Sequence, residues 1–253
     1  MDWQTCGSSF FGTTHAACGL PCQDSNKHMS INTRFGDYII LVASDGCGTA
    51  KHSDIGSRIV TTEVSDCISN CLQHSSFIPS LSDLIVHSLG HANQCLAGVA
   101  TSLSISINDL AATCICLVVG PDRFAAAQIG DGIIIGLSNN VAGCLFWPMQ
   151  EYANVTHSLT SSNWLSHTQT LASPLPSIVP DSWFLATDGI QAIACDYEKK
   201  APVSGFVSVL LHKFKGLSHL PARDMQLALD TFLQSERVSL AVSDDKTVIL
   251  AFR

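Results

Sequence analysis

The chain has 253 residues, 13 Lys and Arg against 21 Asp and Glu, and a net charge of −8 with His neutral. That length holds one large domain or two small ones, and 46% apolar residues suffice for a substantial core. The acidic balance excludes a general nucleic-acid binder, which needs a basic face, and an anchor on an anionic membrane surface. Eleven cysteines are an odd number, in a chain too long for a disulfide scaffold. Met1-Asp2-Trp3-Gln4 has neither the basic stretch nor the apolar core of a signal peptide. The longest apolar runs, such as Cys114 to Val119, fall far below the ~20 residues of a spanning helix. The expectation is a cytoplasmic protein with mostly reduced thiols.

Phe35 to Ser44 reads as a buried strand running into a tight turn, Asp45-Gly46-Cys47-Gly48. Ile55, Ile59, Val60, Val64, Cys67, Ile68, Cys71 and Leu72 then recur at helical spacing. A second helix follows Pro79, striped by Leu81, Leu84, Ile85, Leu89, Ala92 and Leu96. Ala111 to Val119 reads as a strand. Phe124 to Ile129 and Ile133 to Leu137 read as a hairpin closed on Gly130-Asp131-Gly132, and Val141 to Trp147 as the next strand. Residues 150–180 are rich in Ser, Thr, Asn and Pro and read as a long irregular surface segment. Trp183 to Ala186 is a strand ending in Thr187-Asp188-Gly189. Helical patterns lie around Val203–Phe214 and Ala222–Leu233, and the last strand, Thr247 to Phe252, follows Asp244-Asp245. Strands in runs with helices segregated from them suggest α+β layers, and the lack of βαβ alternation argues against a doubly wound sheet. No repeat and no linker divides the chain.

Asp45, Asp131 and Asp188 each stand at an apolar strand end and directly precede Gly, Asp244-Asp245 precedes the final strand, and Asp24 lies near the N-terminus. Asp-Gly is an ordinary turn dipeptide, and any single pair is best read that way. Several carboxylates beside buried strands, however, need a compensating cation. Carboxylates, water and backbone carbonyls are ligands for Mg²⁺ or Mn²⁺, and glycine lets a carbonyl come close to an ion.

In its motifs the sequence resembles the metal-dependent type-2C protein Ser/Thr phosphatases, most closely their compact bacterial branch. The segment Gly12 to Ser25 is similar to that branch's opening, and Val42-Ala43-Ser44-Asp45-Gly46-Cys47-Gly48 to its strand-ending Asp-Gly-x-Gly. Ala112-Thr113 stands where the family usually has Gly-Thr-Thr. Gly130-Asp131-Gly132 resembles the Gly-Asp-Ser turn, Ala186-Thr187-Asp188-Gly189 the Ser/Thr-Asp-Gly motif, and Asp244-Asp245-Lys246-Thr247 the closing Asp-Asn/Asp-x-Thr. The motifs are short but occur in family order along nearly the whole chain.

The resemblance implies one domain over residues 1–253, a four-layer αββα sandwich of two antiparallel β-sheets flanked by helix pairs, with a flap-like segment at about 150–180. It implies a site for two Mn²⁺ or Mg²⁺ ions. Asp45 would bridge both, Asp188 and Asp244 would hold the first, and the Gly46 carbonyl would serve the second, with Asp24 holding its waters. Asp131, shared with Asp188, would hold a third, weaker ion. Paired divalent ions activate water for in-line attack at phosphorus without a covalent intermediate. The partner implied is a phosphorylated protein opposing a Ser/Thr kinase, with no nucleic acid and no membrane.

Two positions depart from the family. Gly19 stands where many members have a phosphate-binding Arg, and Cys47 where better-studied members have a His proposed as the acid for the leaving group. Arg34 and Arg58 are near in sequence, but sequence does not bring either to the site. His15 and His52 are candidate proton donors, although a lone His beside a glycine-rich turn is more often structural. The departures keep open a catalytically weak or inactive phosphoprotein-binding module on the same fold, and the substrate could instead be a small phosphate ester. Asn154-Val155-Thr156 fits a glycosylation acceptor that has no meaning in a cytoplasmic chain. The close cysteine pairs Cys18/Cys22, Cys67/Cys71 and Cys114/Cys116 form no CxxC. They do not read as zinc ligands; Cys67 and Cys71 on a helix stripe and Cys114 and Cys116 in an apolar strand read as small core hydrophobes, while Cys47 is a candidate redox sensor.

Overall fold

The computed structural model describes residues 3–77, 79–139, 141–148, 157–174 and 180–253. In chain order the elements are β1 (Gln4–Phe10), α1 (Thr13–Cys18), β2 (Ser25–Thr33), β3 (Gly36–Ser44), α2 (Ser53–His74), α3 (Leu81–Leu103), β4 (Cys114–Val119), β5 (Arg123–Ile129), β6 (Ile133–Ser138) and β7 (Val141–Phe146). They continue with β8 (Gln169–Pro174), β9 (Ser182–Ala186), α4 (Gln191–Ala194), β10 (Cys195–Asp196), β11 (Ala201–Pro202), α5 (Ser204–Gly216), α6 (Ala222–Leu233), α7 (Glu236–Ala241) and β12 (Lys246–Phe252).

Two five-stranded antiparallel sheets, in the orders β2-β3-β4-β5-β8 and β1-β12-β9-β6-β7, stack face to face. Alternation along each strand sorts its side chains between two cores. In β3, Tyr38, Ile40 and Val42 pack beneath α2 and α3, whereas Ile39, Leu41 and Ala43 point between the sheets. In β12, Val248, Leu250 and Phe252 pack against α5 and α6, whereas Ile249 and Ala251 enter the middle. Covering both faces explains why these strands read as unbroken apolar runs instead of alternating ones. The result is four layers, helix, sheet, sheet, helix. No helix among the described residues is long and apolar enough to cross a membrane.

α3 begins on an N-cap in which Ser80 accepts from the Asp83 N–H. Val60, Val64, Ile68 and Leu72 of α2 meet Leu84, Ile85, Leu89 and Leu96 of α3 over the sheet, and all are buried. Cys67 lies beside that stripe, half-buried, rather than within it.

The structure corrects the sequence reading in three places. β5 and β6 are not a hairpin: β5 pairs with β4 and β8 in one sheet, and β6 with β7 and β9 in the other. Gly130-Asp131-Gly132 is therefore a crossing between sheets, and Gly130 has φ +102°, which glycine adopts without strain. Within 150–180, the described residues are not irregular throughout. Trp164–His167 form a 3-10 turn and Gln169–Pro174 an edge strand on β5, while 150–156 and 175–179, with the Asn154 acceptor, lie outside the described residues. Finally, two N-terminal strands, β1 and β2, form where the sequence predicts none before Phe35, because Gln-Thr-Cys-Gly-Ser-Ser-Phe and Ser-Asn-Lys-His-Met-Ser-Ile-Asn-Thr carry little apolar pattern.

Candidate active site

Strand register brings the acids to one end of the sandwich. Ser25 opens β2 opposite Ser44, the last residue of β3, so Asp24 and Asp45 leave the sheet side by side. In the other sheet Ala186, the last residue of β9, pairs with Val248 of β12 and Ile133 of β6. Asp188, the Asp244-Asp245 doublet and the Asp131 crossing therefore emerge at that same end. Carboxylate oxygens of Asp45, Asp131 and Asp188 lie within 4.8 Å of one another.

The backbone here is fixed tightly. The Asp45 N–H donates to Thr113 Oγ1 at 2.9 Å, the Thr113 N–H returns to the Asp45 carbonyl at 2.8 Å, and Ser44 Oγ donates to the Thr113 carbonyl at 2.6 Å. Gly46 is required by crowding: a Cβ there would stand 2.7 Å from the Gln23 carbonyl oxygen and 2.8 Å from Ser53 Cβ. Gln191 donates its side-chain N–H to the Asp131 carbonyl, holding the crossing against the start of α4.

Asp24, buried, links the two sheets. Its Oδ2 accepts from Thr187 Oγ1 at 2.7 Å and from Thr247 Oγ1 at 2.8 Å, both on the opposite sheet. Its Oδ1 is buried with no hydrogen-bond partner, beside the Asp45 carboxylate. Burial pushes the Asp24 pKa up to about 6, opposed first by the neighbouring Asp45 carboxyl and then by the Thr187 and Thr247 hydroxyls. Burial, followed by the Asp131, Asp24 and Asp244 carboxylates, pushes Asp188 up to about 7. Asp45 is raised well above the ordinary carboxylate value by burial and then by Asp24 and Asp188. Carboxylates desolvated against one another are poorly placed as free anions and well placed around a cation. The orphaned Asp24 oxygen and the oxygen-only donor set fit hard divalent ions such as Mg²⁺ or Mn²⁺.

The two members of the Asp244-Asp245 doublet part company. Asp244 is exposed and lines the cleft. Asp245 is buried, accepting the Gly12 N–H at 2.8 Å and the Gln23 N–H at 2.6 Å, with His15 Nδ1 2.8 Å from its Oδ2. It anchors the N-terminal segment to the loop before β12, a function the motif comparison did not assign. Its signal was present in sequence only as the second acid of the doublet. His15 lines the cleft as well, but faces Asp245. His52 is not among the cleft residues and precedes α2, where its carbonyl accepts the Ile55 and Gly56 N–H groups.

The cleft measures about 670 Å³ and is lined by Asp45, Asp188 and Asp244 together with Thr14, Cys47, Thr49, Asn108, Ser158 and Thr160. No Arg or Lys is among the described lining residues. Arg58 pairs with Asp54 along α2 at 2.7 Å, and Arg34 stacks over Phe35. Gly19 closes α1 with φ +66° and an open surrounding, so the position of the family's Arg is a helix cap here. Burial and then Asp131 push the Cys47 thiol up to about 11.

Residues 11–234 match the protein phosphatase 2C family. The chain belongs to that family. Its members are Mn²⁺/Mg²⁺-dependent Ser/Thr phosphatases, and the four layers seen here are their fold. Serine/threonine-protein phosphatase 3 of Escherichia coli (strain K12) is 28% identical over 258 residues, covering 99% of this chain and 98% of that one. Among solved structures, the phosphatase Stp1 of Staphylococcus aureus superposes with a TM-score of 0.65 at 14% identity, over 100% of this chain and 96% of that one. The catalytic domain of the phosphatase PstP, solved with two manganese ions, gives a TM-score of 0.64 at 13% identity, over 99% and 97%. At these identities the phosphatase 2C solved structures speak for the fold.

Proposed function

We propose that the chain hydrolyses phosphoserine and phosphothreonine in proteins, opposing a Ser/Thr kinase, with Mn²⁺ or Mg²⁺ held by Asp45, Asp188, Asp244, Asp24 and the Gly46 carbonyl, and a weaker ion by Asp131. One domain, residues 1–253, carries the activity. The observation that carries this reading is the convergence of the Asp45, Asp131 and Asp188 oxygens within 4.8 Å in a cleft whose described lining has no Arg or Lys. A phosphate dianion entering such a cleft alone would be repelled. Divalent ions bound there would supply the missing positive charge and an acidified water as nucleophile.

The chain's own residues do the rest. Thr187 and Thr247 hold Asp24 in place through its Oδ2, leaving Oδ1 turned toward Asp45. The hydroxyls of Thr14, Thr49, Ser158 and Thr160 and the Asn108 amide give the cleft wall donors for phosphate oxygens. In the metal-free chain burial and then Asp131 hold the Cys47 thiol at about 11, and a thiol is a weak donor, so leaving-group protonation falls to solvent or to another wall residue.

The test is hydrolysis of p-nitrophenyl phosphate and of a phosphothreonine peptide at neutral pH, with Mn²⁺, with Mg²⁺ and with EDTA, for wild type and Asp45→Asn. Turnover should need the metal and fall about 10³-fold or more in the variant, because several kcal/mol of charge stabilisation disappears. A folded wild type that binds Mn²⁺ without turnover would favour the phosphoprotein-binding module instead. One feature supports that second reading: Gly19, a helix cap, stands where many family members carry a phosphate-binding Arg.

A further inference from the structure

Away from the cleft, the outer helix layer gathers a second set of metal-ligating side chains. Glu63 of α2 and His91 and Cys95 of α3 face each other across the helix pair, with their ligand atoms within 4.8 Å of one another. His91 Nε2 lies 3.1 Å from Glu63 Oε2 and 3.7 Å from Cys95 Sγ. Ligand atoms at 2.0–2.3 Å from a tetrahedral ion are separated by about 3.3–3.8 Å, so two of the three edges already stand near the distances zinc requires. His91 and Cys95 are one turn apart on one helix face, the spacing at which two side chains reach a common point. Cys67, one turn along α2 from Glu63, is close enough to Cys95 to act on its thiol electrostatically.

The residue types are decisive. A carboxylate, an imidazole and a thiol together suit a borderline-soft ion such as Zn²⁺ and not the hard ions of an all-oxygen cleft. His91 is exposed and Glu63 and Cys95 half-buried, so an ion reaches them from solvent. We infer that Glu63, His91 and Cys95 form a Zn²⁺ site, its fourth position held by water, that clamps α2 to α3. The short cysteine pairs in the sequence did not reveal it, because its ligands come from two helices and only one of them is a cysteine.

The experiment is a Co²⁺ titration of the full chain in excess Mg²⁺, which leaves the carboxylate cleft to a hard ion. One equivalent should bind with a thiolate-to-cobalt charge-transfer band in the near ultraviolet, and Zn²⁺ should displace it. The band should vanish in Cys95→Ser, Co²⁺ should bind tenfold or more weakly in His91→Ala and Glu63→Gln, and Cys47→Ser should leave the band intact. Phosphatase activity of Cys95→Ser should match wild type, which separates this site from the cleft. No thiolate band in wild type, or a band that survives in Cys95→Ser, overturns the assignment. Should Cys95→Ser fail to fold, His91→Ala decides, since undiminished affinity there is equally fatal.

Discussion

Asp188 and Asp245 are acids of one family signature at one end of one sandwich, and they live in opposite electrostatic worlds. Asp245 is 3% exposed yet fully served: two backbone N–H groups donate to it and His15 stands at 2.8 Å. Asp188 is buried and pressed against Asp131, Asp24 and Asp244, opposed by the Gly189 N–H, and its pKa is driven up to about 7. A buried carboxylate that is satisfied is architecture. One that is surrounded by its own kind needs something the chain does not supply, and that need marks the site better than burial does.

Substitution should separate the two. Asp188→Asn removes a ligand and a repulsion together. It is expected to lower metal-dependent hydrolysis by about 10³-fold or more while raising the melting temperature of the metal-free chain. Asp245→Asn replaces one of two acceptors by a donor that meets a backbone N–H. It should lower stability by about 1–3 kcal/mol in a denaturant melt, with the metal affinity of the remaining acids less affected. If Asp188→Asn destabilised the metal-free chain as much as Asp245→Asn, the distinction between starved and satisfied acids would fail.

How much of this could be read beforehand divides along the same line. The positions of Asp45, Asp131 and Asp188 at strand ends were legible because an apolar run broken by Asp-Gly is a local pattern, whereas Asp24 stood out only through the resemblance of the N-terminal segment to the family's opening. The fold's middle was legible for the same reason, since β3, β4, β6 and β12 are covered on both faces. What was not legible is non-local. The mistaken β5–β6 hairpin arose because nothing in Gly130-Asp131-Gly132 tells a turn within a sheet from a step between sheets. β2 was missed because its side chains lie at a sheet edge, half-buried and polar. The resemblance gave Asp244 a metal and left Asp245 without a role, because the groups that define Asp245, the Gly12 and Gln23 N–H donors, lie more than 200 residues away in sequence.

The metal-free chain should also report its starved acids through pH. Asp24 at about 6 and Asp188 at about 7 both stand above the ordinary 3.8. A carboxyl with a raised folded-state pKa binds its proton more tightly when folded. Its contribution to stability is present below the unfolded pKa and is lost as pH rises through the folded one. The melting temperature of the metal-free chain should therefore fall between about pH 4 and pH 7. Mn²⁺ competes with those protons, so it should raise the melting temperature strongly at pH 8 and weakly at pH 5. A metal-free melting temperature that climbs across that window would mean these acids are not desolvated as the structure has them.

The smallest effect is expected at Cys47, which stands in the same loop as Asp45 but takes its character from the acids around it. Burial and then Asp131 and Asp188 hold its thiol at about 11, so only a fraction on the order of 10⁻⁴ is thiolate near neutral pH. Peroxide attacks the thiolate, and a redox sensor needs the opposite surroundings, a cation or a helix N-terminus beside the sulfur. Nor is such a thiol a strong acid for a leaving group. Cys47→Ser should change turnover by less than about threefold, far below the 10²–10⁴ that a general acid supplies, and brief peroxide treatment should leave activity where it was. A hundredfold loss in Cys47→Ser would give the thiol a direct part in proton transfer. Inactivation by peroxide that Cys47→Ser abolishes would show instead that ions bound in the cleft reverse the field that the carboxylates set around it.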